Sequence, residues 1–197
     1  MSDTTWSYER QPTPIASGGQ AVVYLATRSD GVTVAIKVAS GGPSTMALQQ
    51  EIRMLESLER AAVQGVMTCL DVVEIEGKLG MVMPYYPEHM GQWLKRVSQE
   101  PKRDTLDDIL KKIATIARTL ARMHGVSYAN GLIVHRDIKP ENIFLDHDER
   151  LTLADFGGAM TITSLRAVEL SLFGTPMWAP LDQILPGKAI PDPTWDT

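Results

Sequence analysis

Apolar and polar residues alternate through the first third of the chain, then apolar ones recur every three or four positions, so strands give way to a helix near residue 44. Segments 20–27 (QAVVYLAT) and 33–39 (TVAIKVA) are rich in β-branched residues and flank Ser29-Asp30-Gly31, which predicts a hairpin. After the breaker Gly41-Gly42-Pro43, Ser44 is expected to cap a helix running to about Arg60, because Leu48, Ile52, Leu55 and Leu58 fall at helical spacing. Two further strands are predicted over 67–75 and 78–83, joined by Glu76-Gly77. The run Pro84-Tyr85-Tyr86-Pro87 then breaks the pattern and reads as a connector between two lobes. Over 106–124, Leu106, Ile109, Leu110, Ile113, Ile116, Ala117, Leu120 and Met123 form a broad apolar face, the mark of a core helix in the second lobe. A turn-rich stretch, 125–131, leads to short strands at 143–145 and 151–153 around the acidic turn Asp146-His147-Asp148. No internal repeat is visible.

Composition narrows the classes. The chain has 197 residues, enough for one ordinary domain or two small lobes, and a chain of this size buries roughly 70% of its unfolded surface. Its net charge of −5 lacks the basic footprint of a nucleic-acid binder, so no nucleic-acid partner is expected. The beginning, MSDTTWSYERQ, lacks a basic stretch followed by an apolar run, and no apolar run is long enough to cross a bilayer. Neither secretion nor a membrane segment is therefore expected. The one cysteine, Cys69, cannot form an intramolecular disulfide, which fits a reducing, cytoplasmic setting, and its surroundings (VMTCLDVV) give it a packing role.

The chemistry is concentrated in two runs, His135-Arg136-Asp137-Ile138-Lys139-Pro140-Glu141-Asn142 and Asp155-Phe156-Gly157. Phosphoryl transfer requires positioning and charge neutralisation, so carboxylate and amide oxygens must hold a divalent cation against phosphates. Together the runs resemble the catalytic loop and metal loop of the eukaryotic-like serine/threonine protein kinase family. The resemblance implies an α+β, two-lobed fold. Its N-lobe, over 1–86, would hold an antiparallel five-stranded sheet with one helix, and a mainly helical, incomplete C-lobe would span 87–197. It also implies ATP- and Mg2+-dependent phosphoryl transfer to serine or threonine hydroxyls of protein substrates. Asp137 would accept the hydroxyl proton, Lys139 would neutralise the γ-phosphate, and Asn142 and Asp155 would hold Mg2+. His147 and Asp148 read as turn residues.

Upstream, Val34-Ala35-Ile36-Lys37 matches the family's third-strand lysine, and alternation puts Lys37 on the face of Ala35. The resemblance implies that Glu51 pairs with Lys37 to orient it toward the α and β phosphates, while Glu56 and Glu59 are solvated. The glycine-rich loop departs furthest from the family pattern G-x-G-x-x-G-x-V. In the run from Ile15 to Tyr24 only the middle glycine, Gly18, is in place; Ala16 and Ala21 replace the others, and Gly19 compensates in part. Ile15, Gly18, Gly19 and Val23 are the loop's expected nucleotide contacts. Met83 falls at the family's gatekeeper place. The run Met81 to Tyr86 resembles the family's hinge, which implies that Pro84, though lacking an N–H, would still offer adenine its carbonyl and Tyr86 its backbone. Val23 and Ala35 would cover adenine from above and Phe144 from below. Leu55, Leu70, His135 and Phe156 align with the family's apolar stack, which makes His135 structural; His89 and His124 are given no special role.

Residues 157–180 resemble an activation segment, with Thr161, Thr163, Ser164, Ser171 and Thr175 as hydroxyl candidates and Arg136 as partner for a phosphate added there. In Gly174-Thr175-Pro176, the resemblance implies that Thr175 contacts Asp137 and Lys139. Ala179-Pro180 is followed by Leu181 where the family has a glutamate. The last residues, Thr194-Trp195-Asp196-Thr197, resemble the start of the family's central hydrophobic helix, so the chain is expected to be C-terminally truncated. Asp196 aligns with the residue that holds the catalytic-loop backbone, the apolar face of 106–124 is expected to be exposed, and little activity is expected of the chain as given. Two alternatives remain open: a scaffolding, nucleotide-binding pseudokinase, prompted by the altered glycine loop, and a small-molecule phosphotransferase of related fold.

Overall fold

A computed structural model describes residues 6–101, 105–162, 175, 177–179 and 193–196. The chain divides into two units, one formed by Met1–Glu56 with Thr68–Tyr85, the other by Ser57–Met67 with Tyr86–Thr197. Of the hydroxyl candidates, Thr163, Ser164 and Ser171 lie outside the described residues, as does Leu181.

The first unit is an antiparallel five-stranded sheet with one helix, as the α+β reading anticipated. Its strands are β1 (Tyr8–Ser17), β2 (Ala21–Arg28), β3 (Thr33–Ala39), β4 (Asp71–Ile75) and β5 (Lys78–Pro84), in the order β1-β2-β3-β5-β4. Alternation decides its faces: Val34, Ile36 and Val38 join Ala26 and Val82 in a buried cluster against which Tyr8, Tyr24, Val73 and Ile75 pack. Ala35 and Lys37 take the opposite face. The two outer strands are linked by side chains, for the Tyr8 hydroxyl donates to Asp71 Oδ2 at 2.8 Å. Arg10 also donates to Glu76, in the turn after β4, at 2.8 Å. Burial and the bond to Asp71 push the Tyr8 hydroxyl up to about 12.

Helix α1 (Pro43–Arg60) buries Leu48, Ile52, Leu55 and Leu58, the residues that predicted it. Its start differs from expectation: Pro43, with no N–H to leave unsatisfied, begins the helix. Ser44 lies inside the first turn and donates its hydroxyl to Gly41 O at 2.7 Å rather than accepting as a cap. The strand predicted from residue 67 begins only at Asp71, because Met67 N–H is spent on Leu153 O, outside the sheet. Leu70, assigned to the apolar stack, is 43% exposed.

The second unit is built on α2 (Met90–Gln99) and α3 (Thr105–His124), with short strands β6 (Glu88–His89), β7 (Ser127–Tyr128), β8 (Gly131–Val134), β9 (Ile143–Leu145), β10 (Leu151–Leu153) and β11 (Met160–Ile162). The strands form two small sheets, β10-β9-β6 and β11-β8-β7. His89 caps α2, accepting from Gln92 N–H while the Gln92 side chain accepts from His89 N–H. The turn-rich stretch after α3 is a small hairpin, β7 pairing with β8. Of the α3 face expected to be exposed, Leu106, Leu110 and Ile113 are each more than half exposed, whereas Ile116, Leu120 and Met123 are buried. Among the described residues no helix is long and apolar enough to cross a membrane.

Candidate active site

In the first unit the site begins on β3. Lys37 pairs in register with Val23 of β2 and Met81 of β5, and Ala35 with Met83, so Val23, Ala35 and Lys37 share one face of the sheet. Lys37 Nζ reaches both carboxylate oxygens of Glu51 on α1, at 3.0 and 2.8 Å. Glu51 is almost fully buried, at 2% exposure, and a buried carboxylate needs such a cation to remain charged. Glu56 is exposed and Glu59 is exposed, in keeping with solvated roles.

Beside this pair lies the hairpin joining β1 to β2, closed by a bond from Gly18 N–H to Ala21 O at 3.0 Å. The register skips Ile15 between Pro14↔Tyr24 and Ala16↔Val23, leaving it in a bulge at 49% exposure. Neither Gly18 nor Gly19 has the positive φ that would demand glycine, and a Cβ on Gly19 would meet open space. Ala16 and Ala21 likewise keep negative φ, so alanine fits the backbone at both places. Pro84 ends β5, paired in register with Val34.

In the second unit the residues come from the loop after β8 and from a single 3-10 turn, Pro140–Asn142. Asp137 accepts at both oxygens: Oδ1 from the Thr175 hydroxyl at 2.9 Å, Oδ2 from Asn142 Nδ2 at 2.9 Å and Lys139 Nζ at 2.8 Å. Lys139 also donates to Thr175 Oγ1 at 2.7 Å. The expected contact of Thr175 with Asp137 and Lys139 is thus present in the geometry.

The backbone carrying Asp137 is anchored from three sides. Arg136 has φ +71°, a conformation that a non-glycine residue keeps only when its neighbours enforce it. Asp196 does so, accepting Arg136 N–H at Oδ1 and His135 N–H at Oδ2, both at 2.8 Å. The His135 ring bonds Ala154 O at 3.0 Å through Nε2 and accepts Asp137 N–H at Nδ1, and it packs edge-on against Phe156. Burial pushes the His135 imidazole below its ordinary range, outweighing the pull of Asp196. It is a neutral structural ring, donating from Nε2. Burial likewise lowers the affinity of the Arg136 guanidinium for its proton.

Asn142 and Asp155 follow from one ladder. β9 and β10 pair through Ile143↔Leu153, and beyond that rung Ala154 N–H donates to Asn142 O at 2.9 Å. The amide nitrogen of Asn142 is committed to Asp137, so its remaining side-chain donor atom to a metal is Oδ1. Asp155 is exposed at φ +62° directly after that ladder. Hard oxygen donors of this kind suit Mg2+, which is ordinarily held by one or two side chains plus phosphates and water. Among the described residues no three His, Cys, Asp or Glu side chains gather into a protein-only metal cage. Phe144 lies between these elements, its ring 6.0 Å from Tyr86 and 6.4 Å from His89, and the Tyr86 hydroxyl accepts from Thr152 at 3.1 Å.

One site residue escaped the sequence reading. His124, at the end of α3, places Nε2 2.9 Å from Asp196 Oδ2. Only its place at a helix end hinted at a partner, and that partner is 72 residues away.

The family model described as "Protein kinase domain" matches residues 10–193. The chain is 34% identical over 154 residues, 76% of its length, to the maternal embryonic leucine zipper kinase of Xenopus tropicalis. It is 32% identical over 154 residues, again 76% of its length, to the nodulation receptor kinase of Pisum sativum. It is 27% identical over 156 residues, 75% of its length, to a probable serine/threonine-protein kinase of Dictyostelium discoideum. It spans 22%, 16% and 28% of these relatives' own lengths.

Proposed function

Since the chain belongs to the protein kinase family, we propose that it transfers the γ-phosphoryl group of ATP, with Mg2+, to serine or threonine hydroxyls of protein substrates. The observation that carries this reading is the Thr175 hydroxyl, which donates to Asp137 while accepting from Lys139. A carboxylate and an ammonium that accommodate one alcohol in this way have the chemistry to receive an acceptor alcohol.

In this reading Asp137 takes the proton as the acceptor oxygen bonds to phosphorus, and Lys139 carries part of the charge on the phosphoryl oxygens. Asn142 fixes the Asp137 carboxylate through Nδ2. Asn142 Oδ1 and the Asp155 carboxylate would hold Mg2+, which would supply positive charge to neutralise the phosphate oxygens. Lys37, held by Glu51, neutralises the α and β phosphates. Ile15, Gly18, Gly19, Val23, Ala35 and Pro84 of the first unit, with Tyr86 and Phe144 of the second, make the remaining nucleotide contacts. The proposal extends to a cytoplasmic setting, where Cys69 stays a thiol.

The test is transfer from γ-labelled ATP with Mg2+ by the full chain, offered a generic protein, an aminoglycoside and a choline-like acceptor. Label on protein serine or threonine is expected, weak for the chain as given and lost in Asp137→Ala. Label on the small acceptors alone would replace the reading with small-molecule transfer; nucleotide binding without transfer would replace it with a scaffolding role.

A further inference from the structure

We infer that this chain pairs with a second copy of itself through α3, the two helices running antiparallel about a two-fold axis near Ile113. Nothing in the case depends on the phosphotransfer reading. It begins with a stripe of side chains. Leu106, Leu110, Ile113, Ala117 and Ala121 recur every three or four residues, so they share one side of the helix, and all five are exposed. Ile116, Leu120 and Met123, which α3 buries, lie to one side of this stripe. From Leu106 to Ala121 the stripe is about 23 Å long, and among the described residues nothing covers it. A continuous apolar surface of this kind marks a place of contact.

Shape and charge both select a second copy as the occupant. The first half of the stripe projects Leu106, Leu110 and Ile113, whereas the second half offers only Ala117 and Ala121. Beside those alanines opens an apolar groove of about 500 Å³, walled on its far side by Ile138, Pro140, Ile143 and Trp178. A two-fold antiparallel pair sets the leucines of each copy against the alanines and groove of the other, and leaves Ile113 to meet its counterpart. The surface is therefore self-complementary, as an isologous contact requires. Charge follows the same symmetry. Asp107 and Arg118 are both exposed and have no ion-pair partner among the described residues. They stand about three turns apart, which puts them on the same flank of the stripe at opposite ends. Antiparallel pairing brings Asp107 of each copy beside Arg118 of the other, so the contact forms twice, while parallel pairing would set like against like. Asp107 and Asp108 also occupy the first turn of α3 and Arg122 the last, so the acidic end of each helix lies along the basic end of the other. One helix pair and its flanking grooves sit at the small end of specific interfaces, so the association is weak and concentration-dependent.

The test is sedimentation velocity of the full chain from about 1 to about 200 μM. It compares wild type, Leu110→Glu, Arg118→Asp, and the exchanged pair Asp107→Arg with Arg118→Asp, with the thermal midpoint of each measured at the lowest concentration. Wild type should show a reversible monomer–dimer equilibrium with Kd of about 10 μM. Leu110→Glu should weaken it at least about thirtyfold, because each dimer would bury two unpaired carboxylates. Arg118→Asp should weaken it about fivefold, and the exchanged pair should return to within about twofold of wild type. A wild type monomeric at every concentration would overturn the inference, whether the stripe stays bare or another part of the chain covers it. So would a dimer indifferent to Leu110→Glu, an exchanged pair no tighter than Arg118→Asp alone, or species that grow beyond two copies. Should Leu110→Glu lower the midpoint, Arg118→Asp and its rescue, both at exposed positions, decide the question alone.

Discussion

The two units hold their charged residues by opposite means. In the first, Lys37 stands on a strand and Glu51 on a helix, and one bidentate ion pair joins them. In the second, Asp137 and Lys139 come from a loop and Asn142 from a single 3-10 turn after it, and a web of contacts from Thr175, Asp196 and the His135 ring keeps them in place. A regular element fixes the direction of its side chains by itself, so a contact between two such side chains has only to hold them there. An irregular loop fixes nothing until its backbone amides have been matched one by one.

That contrast can be broken most severely at the exposed end of the second unit. Asp155→Asn should reduce Mg2+-dependent transfer roughly a thousandfold while leaving the thermal midpoint near wild type, since the side chain serves charge rather than packing. A lowered midpoint would show that Asp155 belongs to the supporting web instead. Next in size, Lys37→Met should reduce transfer roughly a hundredfold and, by leaving the Glu51 carboxylate of a buried ion pair without this cation, destabilise the protein by about 3–5 kcal/mol. If one pair completes the first unit's arrangement, the double variant with Glu51→Gln should transfer no more slowly than either single variant. A multiplicative loss in that kinetic cycle would mean that the two residues act separately.

Smaller effects separate the scaffolds. Gly65 has φ +83°, and a Cβ there would lie 2.6 Å from Thr119 Oγ1 of α3. Gly65→Ala should therefore cost about 2 kcal/mol, read as a lower midpoint on thermal or urea unfolding. The smallest effect concerns Tyr8, whose folded hydroxyl is raised from 10.0 to about 12. The folded state holds this proton more tightly than the unfolded chain, so the associated stability is complete below pH 10 and is lost as pH rises from about 10 to about 12. Unfolding midpoints across that interval should fall more steeply for wild type than for Tyr8→Phe; parallel curves would show that the bond to Asp71 does not link the sheet's outer strands.

The same contrast explains what could be read from the amino acids. Period-two alternation placed Lys37 opposite the core residues Val34, Ile36 and Val38, and the 3.6-residue spacing of Leu48, Ile52, Leu55 and Leu58 set the buried side of α1. Ser44 was misread because a serine beside a proline satisfies the capping preference whether it lies before the helix or inside it. In the second unit, the residue types of the two chemical runs were legible, and the family resemblance also anticipated the support from Asp196 and Thr175, whereas the part of His124 was not anticipated. His124 offers no local signal for a partner so distant in sequence, and Leu70 was assigned by alignment although its position before β4 leaves it in solvent. The β6 pairing with β9 was also hidden, since two residues cannot display a period.

Asp196 carries a consequence for the order in which the molecule is made. Its oxygens meet amides 60 and 61 residues earlier in the chain, and its imidazole partner is 72 residues earlier. Contacts of such separation form late, because a long loop must close before they yield anything. A nascent chain emerging from the ribosome would thus present Asp137 long before it could aim it, and competence for chemistry would arrive only once that distant carboxylate had followed it out.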